Sequence, residues 1–293
     1  SGNAGYDPND PRTYFSTMGC RTANGFDING FGQLKDGRGN ICPTTIILPT
    51  LAMEAGGDVE AFMTLLDQKI HEAKDTLIER FNWICSQDPR SAPFMWENNT
   101  MAGYVPEEGI RSALKHGTLA MGQLGMAETL QILIGKNHTH PEGLALAKRI
   151  EELFSKRCNE FKHEYKLNFG VYYTPAENLC FTAMEKFKAR YGVIKNVSDR
   201  DYFTNSIHVP VWEKMTPFEK IDIECQLTGY SSAGCITYVE LPSTTKNNIT
   251  ALEEIIDYAM SHDIPYFAIN VPNDTCMNCG YTDEINDACP VCG

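Results

Sequence analysis

Apolar side chains recur every three or four positions along several stretches of the chain, and shorter apolar runs lie between them. Residues 59–84 keep this spacing behind Asp58, a candidate N-cap, and residues 141–165 keep it from a proline onward. Both stretches predict long helices with one buried face. Residues 169–173 form a short apolar run, which is typical of a buried strand.

The same two patterns continue along the rest of the chain. Residues 13–53 are predicted to form a strand, a loop and a second strand, which ends in the apolar run 46–48 closed by Pro49. Further strands are predicted at 235–241 and 266–271, and residues 117–126 are a strand or a loop. A short helix starts at 106–108 and further helices are predicted at 127–134, 178–191 and 248–261, whereas 197–230 is less regular. Alternating strands and helices predict an α/β fold with parallel strands. Because the composition changes near residue 272, we predict an α/β domain over residues 1–271 and a separate small module over 272–293.

Charge and cysteine content narrow the class of protein. The 293 residues carry a net charge of −13, which argues against a nucleic-acid-binding surface because phosphate contacts need clustered lysine and arginine. No window reaches 18 apolar residues, so no transmembrane helix is predicted, and the N-terminus lacks the pattern of a signal peptide. The 11 cysteines are odd in number and mostly dispersed, which indicates a reduced, cytoplasmic protein rather than a disulfide framework.

The last residues contain two Cys-x-x-Cys pairs, which are Cys276 with Cys279 and Cys289 with Cys292. Four thiolates spaced in this way are typical of a closed, tetrahedral structural zinc site. Gly280 and Gly293 follow the pairs at positions where such a turn needs a positive φ. A redox pair or two disulfides are the alternative. Acidic residues without lysine or arginine between the pairs disfavour phosphate binding by this module.

A segment near the N-terminus and this tail together point to a known family. Met18-Gly-Cys20-Arg-Thr22, combined with the cysteine tail, resembles the large subunit of the anaerobic (class III) ribonucleotide reductases, which are glycyl-radical enzymes. Further segments agree in the family's order: Gly37-Arg-Gly-Asn40, Thr45-Ile-Ile-Leu-Pro49, Gly117-Thr-Leu119, Thr174-Pro-Ala-Glu-Asn178, Asn205-Ser-Ile-His-Val-Pro210 and Tyr238-Val-Glu-Leu241. The resemblance covers nearly the whole chain, from about Tyr6 to Gly293.

The resemblance implies a fold and a catalytic thiol. The family has a ten-stranded α/β barrel, and this chain would form the C-terminal half of the barrel followed by the zinc ribbon. Cys20 matches the cysteine on the family's finger loop inside the barrel. It would become the thiyl radical that takes a hydrogen atom from the ribose 3′ carbon, in the reduction of ribonucleoside triphosphates to deoxyribonucleotides. Without the match, an ordinary buried thiol is the alternative.

Four further residues match positions at the family's active site. Asn40 corresponds to an asparagine near the thiyl position, although a turn residue in a glycine-rich loop is an equal alternative. Thr174, Glu177 and Asn178 belong to a turn between a strand and a helix, where main-chain N–H groups would hold the substrate phosphates. The alternative is simple capping of that helix by Thr174 or Asn178, and Glu177 could instead contact ribose hydroxyls.

The remaining histidines and cysteines are interpreted as structural. His116 and His208 each lie beside an apolar strand without a second ligand at metal spacing, so both are expected to be core or turn residues. Six other cysteines fall in strand or helix patterns and are expected to pack: Cys42, Cys85, Cys158, Cys180, Cys225 and Cys235.

Two features of the family have no counterpart in the sequence: the glycyl-radical segment downstream of the zinc site, and the N-terminal half with its regulatory nucleotide domain. We therefore expect the 293-residue chain to be inactive alone. The family implies zinc and a glycyl radical as cofactors. As partners it implies a radical-S-adenosylmethionine activase, formate or a thioredoxin-like reductant, and a homodimeric mate. The alternative classes are a non-catalytic zinc-ribbon subunit or regulator, and another glycyl-radical enzyme.

Overall fold

In the computed structural model of the chain, three parallel strands form the central sheet. The structure describes residues 7, 9–10, 22–98, 100–174, 176–271, 273–283, 285 and 288–293. The strands of the central sheet, in spatial order, are β1 (Asn40–Ile47), β2 (Thr118–Leu124) and β3 (Asn168–Tyr172). The sequence-based expectation of parallel strands is therefore confirmed.

Helices connect these strands and follow them along the chain. Their bounds are α1 (Leu48–Glu54), α2 (Val59–Cys85), α3 (Pro93–Glu97), α4 (Arg111–Leu114), α5 (Met126–Ile134), α6 (Pro141–Tyr165), α7 (Glu177–Tyr191), α8 (Pro217–Thr228) and α9 (Ile249–Ser261). A second sheet pairs β4 (Thr237–Glu240) with β5 (Phe267–Asn270) in parallel, and an antiparallel ribbon pairs β6 (Asp274–Thr275) with β7 (Thr282–Asp283). Among the described residues, no helix has both the length and the apolar character needed to span a membrane.

Strand β2 is buried along its whole length because it has a bonded neighbour on each edge. Thr118 pairs with Asn40 of β1 on one side and with Asn168 of β3 on the other. The main-chain N–H and C=O groups of β2 therefore find partners inside the sheet, which is the condition for burying a strand completely.

Gly122 lets the ends of the three strands approach one another closely. A Cβ at this position would lie 1.8 Å from Thr174 Oγ1 and 2.6 Å from Tyr172 O, so only glycine fits. The space left by the missing side chain is occupied by Thr174, whose hydroxyl accepts a hydrogen bond from Thr45 Oγ1 of β1 at 3.0 Å. The first and third strands are thus joined over the second.

Helices α2 and α6 pack against each other and against the central sheet. Asp58 caps α2 as the sequence predicts, because its side chain accepts a hydrogen bond from Ala61 N at 2.7 Å. The α2 side chains Phe62 and Leu66 are fully buried in the same core cluster as Phe154 of α6. The three-four apolar spacing of both helices is therefore the face that covers the sheet.

Strands β4 and β5 pack with α8 and α9 around a separate small core, which consists of Ile221, Val239, Leu241, Ile255, Ala259 and Ile264. A parallel bridge between Tyr172 and Gly234 connects the segment before β4 to the end of β3. The α/β class is confirmed. The ten-stranded barrel is not seen within the described residues, where the parallel strands form an open sheet of three and a pair. The domain boundary between residues 271 and 272 stays a prediction.

Two elements differ from the sequence-based expectations. Pro49 lies in the first turn of helix α1 rather than closing a strand, since proline suits the first turn of a helix. Helix α8 lies in the stretch that the sequence pattern leaves less regular, although its capping box of Thr216 and Glu219 is readable as Thr-x-x-Glu. Charged residues, Lys220 and Glu224, occupy buried positions of α8, and they conceal its apolar periodicity.

A buried carboxyl group lies between helix α6 and the central sheet. Glu151 Oε1 accepts a hydrogen bond from Gln123 Nε2 of β2 at 2.7 Å. The Tyr173 hydroxyl, which donates its own proton to Leu227 O at 2.6 Å, contacts the same carboxyl group. Burial raises the pKa of Glu151 to about 8. Glu151 is therefore protonated at neutral pH and can donate to the Tyr173 oxygen.

The variant Glu151→Gln tests this protonation state. Above the ordinary carboxyl pKa the unfolded chain releases a proton that the native protein keeps, so this group lowers wild-type stability by about 1.4 kcal/mol per pH unit until pH reaches the native pKa of about 8. Because glutamine does not titrate, urea unfolding of the variant should lack this slope between about pH 5 and pH 8. Glu164→Gln, an exposed change on the same helix, should keep it. Equal slopes in the two variants would contradict the assignment.

Candidate functional site

A cavity of about 310 Å³ opens at the carboxyl ends of strands β3 and β4. Its apolar wall is formed by Tyr202, Phe203, Val209, Val211, Trp212 and Tyr238. Its polar groups come from Glu177, Thr204, Asn205, His208, Lys220 and Glu240. Ligands of open α/β sheets bind in this position, and a mostly apolar cavity with a few convergent polar groups is typical of small-molecule sites.

The turn between β3 and α7 brings predicted substrate residues to this cavity. Glu177 is the first residue of α7 and lines the cavity, and Asn178 follows it on the exposed first turn. The N-cap residue is Ala176, and none of the described side chains caps α7, so capping by Thr174 or Asn178 is not observed. Ala176 N donates instead to Asn205 Oδ1 at 2.9 Å. The positive end of the α7 dipole thus lies at the cavity.

Thr174 and Asn40 lie at different ends of the central sheet. Thr174 sits over the carboxyl ends of the strands, where its hydroxyl lies 3.0 Å from Thr45 Oγ1. Asn40 begins β1, five residues before Thr45 and roughly 16 Å away along the strand. The structure therefore brings Thr174 close to Glu177 and Asn178, but it does not bring Asn40 to them.

Asn40 lies instead beside the segment that follows Cys20, while Cys20 itself lies outside the described residues. Ala23 N donates to Ala233 O at 2.9 Å, and Asn40 Nδ2 donates to the same oxygen at 3.4 Å. Asn40 Oδ1 is buried and has no hydrogen-bond partner among the described residues. Because buried amide oxygens normally accept a hydrogen bond, this atom has the capacity to bind a further donor.

His208 and Glu224 form a buried pair in the cavity wall that the sequence does not reveal. His208 is buried as expected, but it also lines the cavity, and its Nδ1 lies 3.4 Å from Glu224 Oε2 of α8. Glu224 Oε1 accepts a hydrogen bond from Val209 N at 2.9 Å. Burial alone raises the pKa of Glu224, but the charges of His208 and Lys220 outweigh burial and hold this pKa below its ordinary value. Glu224 is therefore an ionised partner that orients the His208 ring.

The other residues interpreted as structural are mostly buried. His116 Nδ1 lies 2.7 Å from Asp27 Oδ2, and the His116 ring stacks on Phe31 with 3.8 Å between ring centroids. The six dispersed cysteines are free thiols. Among them Cys180 also lines the cavity, and burial raises the pKa of its thiol to about 12. This thiol is therefore protonated at neutral pH.

The four tail cysteines form a cluster that could hold a metal ion. Their Sγ atoms all lie within 4.8 Å of one another. The Sγ–Sγ distance is 3.6 Å for Cys276 with Cys292 and for Cys279 with Cys289. Tetrahedral zinc, with Zn–S bonds of about 2.3 Å, places sulfur atoms about 3.8 Å apart, whereas a disulfide needs about 2.05 Å. The cluster therefore fits the zinc interpretation and not the disulfide alternative.

Two local features shape this cluster. Gly280 and Gly293 have φ values of 74° and 87°, as the sequence predicts for turns that follow Cys-x-x-Cys. Gly280 N donates to Cys276 O at 2.9 Å and closes the first turn. The main-chain N–H groups of Cys279 and Asn278 stabilise the Cys276 thiolate and lower its pKa to about 6. One thiol of the cluster is thus ionised at neutral pH without a metal ion.

Comparisons with known proteins identify the family. The family model described as anaerobic ribonucleoside-triphosphate reductase matches residues 3–293. The anaerobic ribonucleoside-triphosphate reductase of Salmonella typhimurium is 32% identical over 96% of this chain, and that of Enterobacteria phage T4 is 31% identical over 95%. The chain spans 41% and 46% of the lengths of these two relatives. It belongs to the anaerobic ribonucleoside-triphosphate reductase family.

Solved anaerobic ribonucleotide reductases have the same fold over most of this chain. The Thermotoga maritima enzyme with glycerol in the active site matches with a TM-score of 0.64 at 22% identity, covering 94% of this chain and 42% of that one. The same enzyme in complex with dATP and CTP matches with a TM-score of 0.63 at 22% identity, covering 94% of this chain and 43% of that one. The chain thus has the fold of a part of these reductases.

Zinc content checks the metal assignment. Protein purified without chelators is expected to contain about one zinc ion per chain, measured by inductively coupled plasma mass spectrometry. Cys276→Ser removes one of the four thiolates and should lower this content by more than about half, because three ligands bind zinc more weakly than four. Cys225→Ser, at a dispersed thiol, should leave the content unchanged. Less than about a tenth of a zinc ion per wild-type chain would rule the site out.

Proposed function

We propose that this chain supplies the thiyl-radical part of an anaerobic ribonucleotide reductase, which converts ribonucleoside triphosphates to deoxyribonucleotides. The family match over residues 3–293 carries the proposal, because it includes both Cys20 and the four tail cysteines. The cavity at the carboxyl ends of the strands supports it as a place for the ribonucleotide. As half of the family's ten-stranded barrel, the chain would need the complementary half to enclose the substrate.

Cys20 is the radical residue in this proposal. The family's glycyl radical would supply the one-electron oxidant that removes the hydrogen atom of the Cys20 S–H bond. The Cys20 sulfur then takes a hydrogen atom from the ribose 3′ carbon and returns one before the product leaves. Formate or a thioredoxin-like protein would supply two electrons, which together with two protons replace the 2′ hydroxyl group by hydrogen and release that group as water. A thiol suits this role because its S–H bond is weak and a protein site can exclude competing water.

The substrate contacts are assigned to the turn after β3 and to Asn40. Thr174, Glu177 and Asn178 form the phosphate turn, since an uncapped helix N-terminus attracts anions through its main-chain N–H groups and its dipole. Glu177 also lines the cavity, where its carboxylate can accept hydrogen bonds from ribose hydroxyls. Asn40 offers a buried acceptor beside the segment after Cys20. The complex of the Thermotoga maritima relative with CTP supports nucleoside triphosphates as the ligand class.

The proposed function also assigns a role to the cysteine tail and implies the partners of the chain. Cys276, Cys279, Cys289 and Cys292 hold zinc in a structural role, because four protein thiolates leave no open position for catalysis. A radical-S-adenosylmethionine activase generates the radical, and the active form is a homodimer. Nucleic acid is not a partner, since the chain carries a net charge of −13. The cytoplasm is the compartment that keeps the 11 thiols reduced.

Removal of the Cys20 thiol tests the central role. In the protein expressed from its complete coding sequence, Cys20→Ala is expected to lower anaerobic deoxyribonucleotide formation by more than about a thousandfold, because no other group replaces the hydrogen carrier. Binding of CTP, measured by calorimetry, should be unchanged. Cys225→Ala is the matched control and should retain activity. Turnover by Cys20→Ala at more than about a tenth of the wild-type rate would exclude Cys20 as the radical residue.

A charge introduced at the α7 N-terminus tests the phosphate turn. Asn178→Asp keeps the size of the side chain but adds a negative charge to the first helical turn, so the Kd for CTP should rise roughly tenfold through repulsion of the triphosphate. Asn159→Asp, an exposed change on α6, adds the same charge away from the cavity and should leave the Kd unchanged. Equal Kd values for both variants and the wild type would show that the substrate phosphates do not bind at this turn.

A further inference from the structure

The segment that follows Cys20 is held by three cationic side chains from separate positions in the chain. Lys35 Nζ donates to Asn24 O at 2.5 Å, Arg38 Nη1 donates to Gly25 O at 2.9 Å, and Lys162 Nζ donates to Phe26 O. Three consecutive main-chain carbonyl groups are therefore each bound by a positively charged donor. We call Lys35, Arg38 and Lys162 the carbonyl clamp.

The carbonyl clamp concentrates positive charge in a protein that is acidic overall. Lys35 and Lys162 are partly buried, and Arg38 is 2% exposed. Burial and the charges of Arg38 and Lys162 lower the pKa of Lys35 to about 8. Bringing cations together out of water costs free energy, which these donors recover through hydrogen bonds to the carbonyl oxygens. Charged donors form stronger hydrogen bonds than neutral ones, so the segment is held firmly.

Arg38 links the clamp to the central sheet. Its Nε donates to His116 O at 2.6 Å, two residues before β2, and its Nη1 is shared between Gly25 O and Leu34 O, at 2.9 Å each. One guanidinium group thus joins the backbone at Gly25 and at Leu34 to the amino end of the buried strand β2. Lys162 supplies the same kind of link from the last turns of α6.

Both ends of the clamped segment are also fixed by contacts outside the carbonyl clamp. At its start, Ala23 N donates to Ala233 O at 2.9 Å. At its end, Asp27 accepts hydrogen bonds from Asn168 Nδ2 at 2.7 Å and pairs with His116 Nδ1 at 2.7 Å. The backbone from residue 23 to residue 27 is therefore bound at every position by the sheet, by α6 or by the loop itself.

Ala23 is three residues from Cys20 in sequence, so their Cα atoms are at most about 11 Å apart. Fixing the backbone at Ala23 restricts where the Cys20 thiol can lie. Hydrogen-atom transfer demands accurate placement, because a displacement of about 1 Å can slow a reaction about a hundredfold. We propose that Lys35, Arg38 and Lys162 are positioning residues for the Cys20 thiol, acting through the carbonyl groups of residues 24–26. This inference rests on the proposed role of Cys20.

Amide hydrogen exchange on the 293-residue chain tests the clamp without requiring activity. The double variant Lys35→Met/Lys162→Met removes two cationic donors and keeps apolar side chains of similar length. Exchange of the peptide covering residues 22–34 should become about tenfold faster, and alkylation of Cys20 by iodoacetamide should accelerate as well. Exchange in β2 should not change. Lys156→Met removes an exposed cation of α6 and should match the wild type.

The arginine variants separate positioning from general destabilisation. Lys35→Arg/Lys162→Arg keeps cationic donors at both positions and should restore slow exchange. In the protein expressed from its complete coding sequence, the methionine pair should lower kcat about tenfold or more with an unchanged Kd for CTP, and the arginine pair should recover kcat. Unchanged exchange over residues 22–34, or equal acceleration in β2, would overturn the clamp. Activity of Cys20→Ala would instead overturn the proposed function, whatever the exchange data show.

Discussion

Parallel pairing along both edges of the buried strand β2 is the constraint on which the other features depend. Parallel strands need long return connections, which here are α1 to α4 between β1 and β2, and α5 with α6 between β2 and β3. They also place all carboxyl ends at one edge of the sheet. The turn before α7 and the cavity follow from this arrangement. The amino ends meet at the opposite edge, where the carbonyl clamp lies.

Much of the fold could be predicted from the sequence, because most of its elements carry a local signal. Helix α6 has the predicted bounds of residues 141–165, and Asp58 caps α2 as expected. Helix α8 could not be recognised by apolar spacing, since Lys220 and Glu224 are buried through pairing with charges from elsewhere in the chain. Closure of the strands into a barrel was expected only from the resemblance, and no spacing in the chain encodes it.

The residues of the candidate site likewise comprise some that the sequence reveals and some that it does not. The four tail thiols could be predicted because their ligand geometry is set by two short turns. Glu177 was singled out through its motif, and the structure places it in the lining of the cavity. The His208–Glu224 pair escaped prediction because the two residues meet only after α8 packs under the strand ends. Asn40 shows the limit of a motif, since its neighbours in space are set by the segment around Ala233 and not by adjacent residues.

The spacing of the tail sulfur atoms has a consequence for handling the protein. Two pairs of sulfur atoms stand 3.6 Å apart, and a shift of about 1.5 Å would bring each pair to covalent bonding distance. A bound cation occupies the electron pairs that an oxidant would otherwise attack, so it protects these thiols as well as organising them. If a chelator acts in air, loss of the ion is followed by cross-linking, and added zinc no longer reloads the site. A reducing agent present before the chelator keeps the loss reversible.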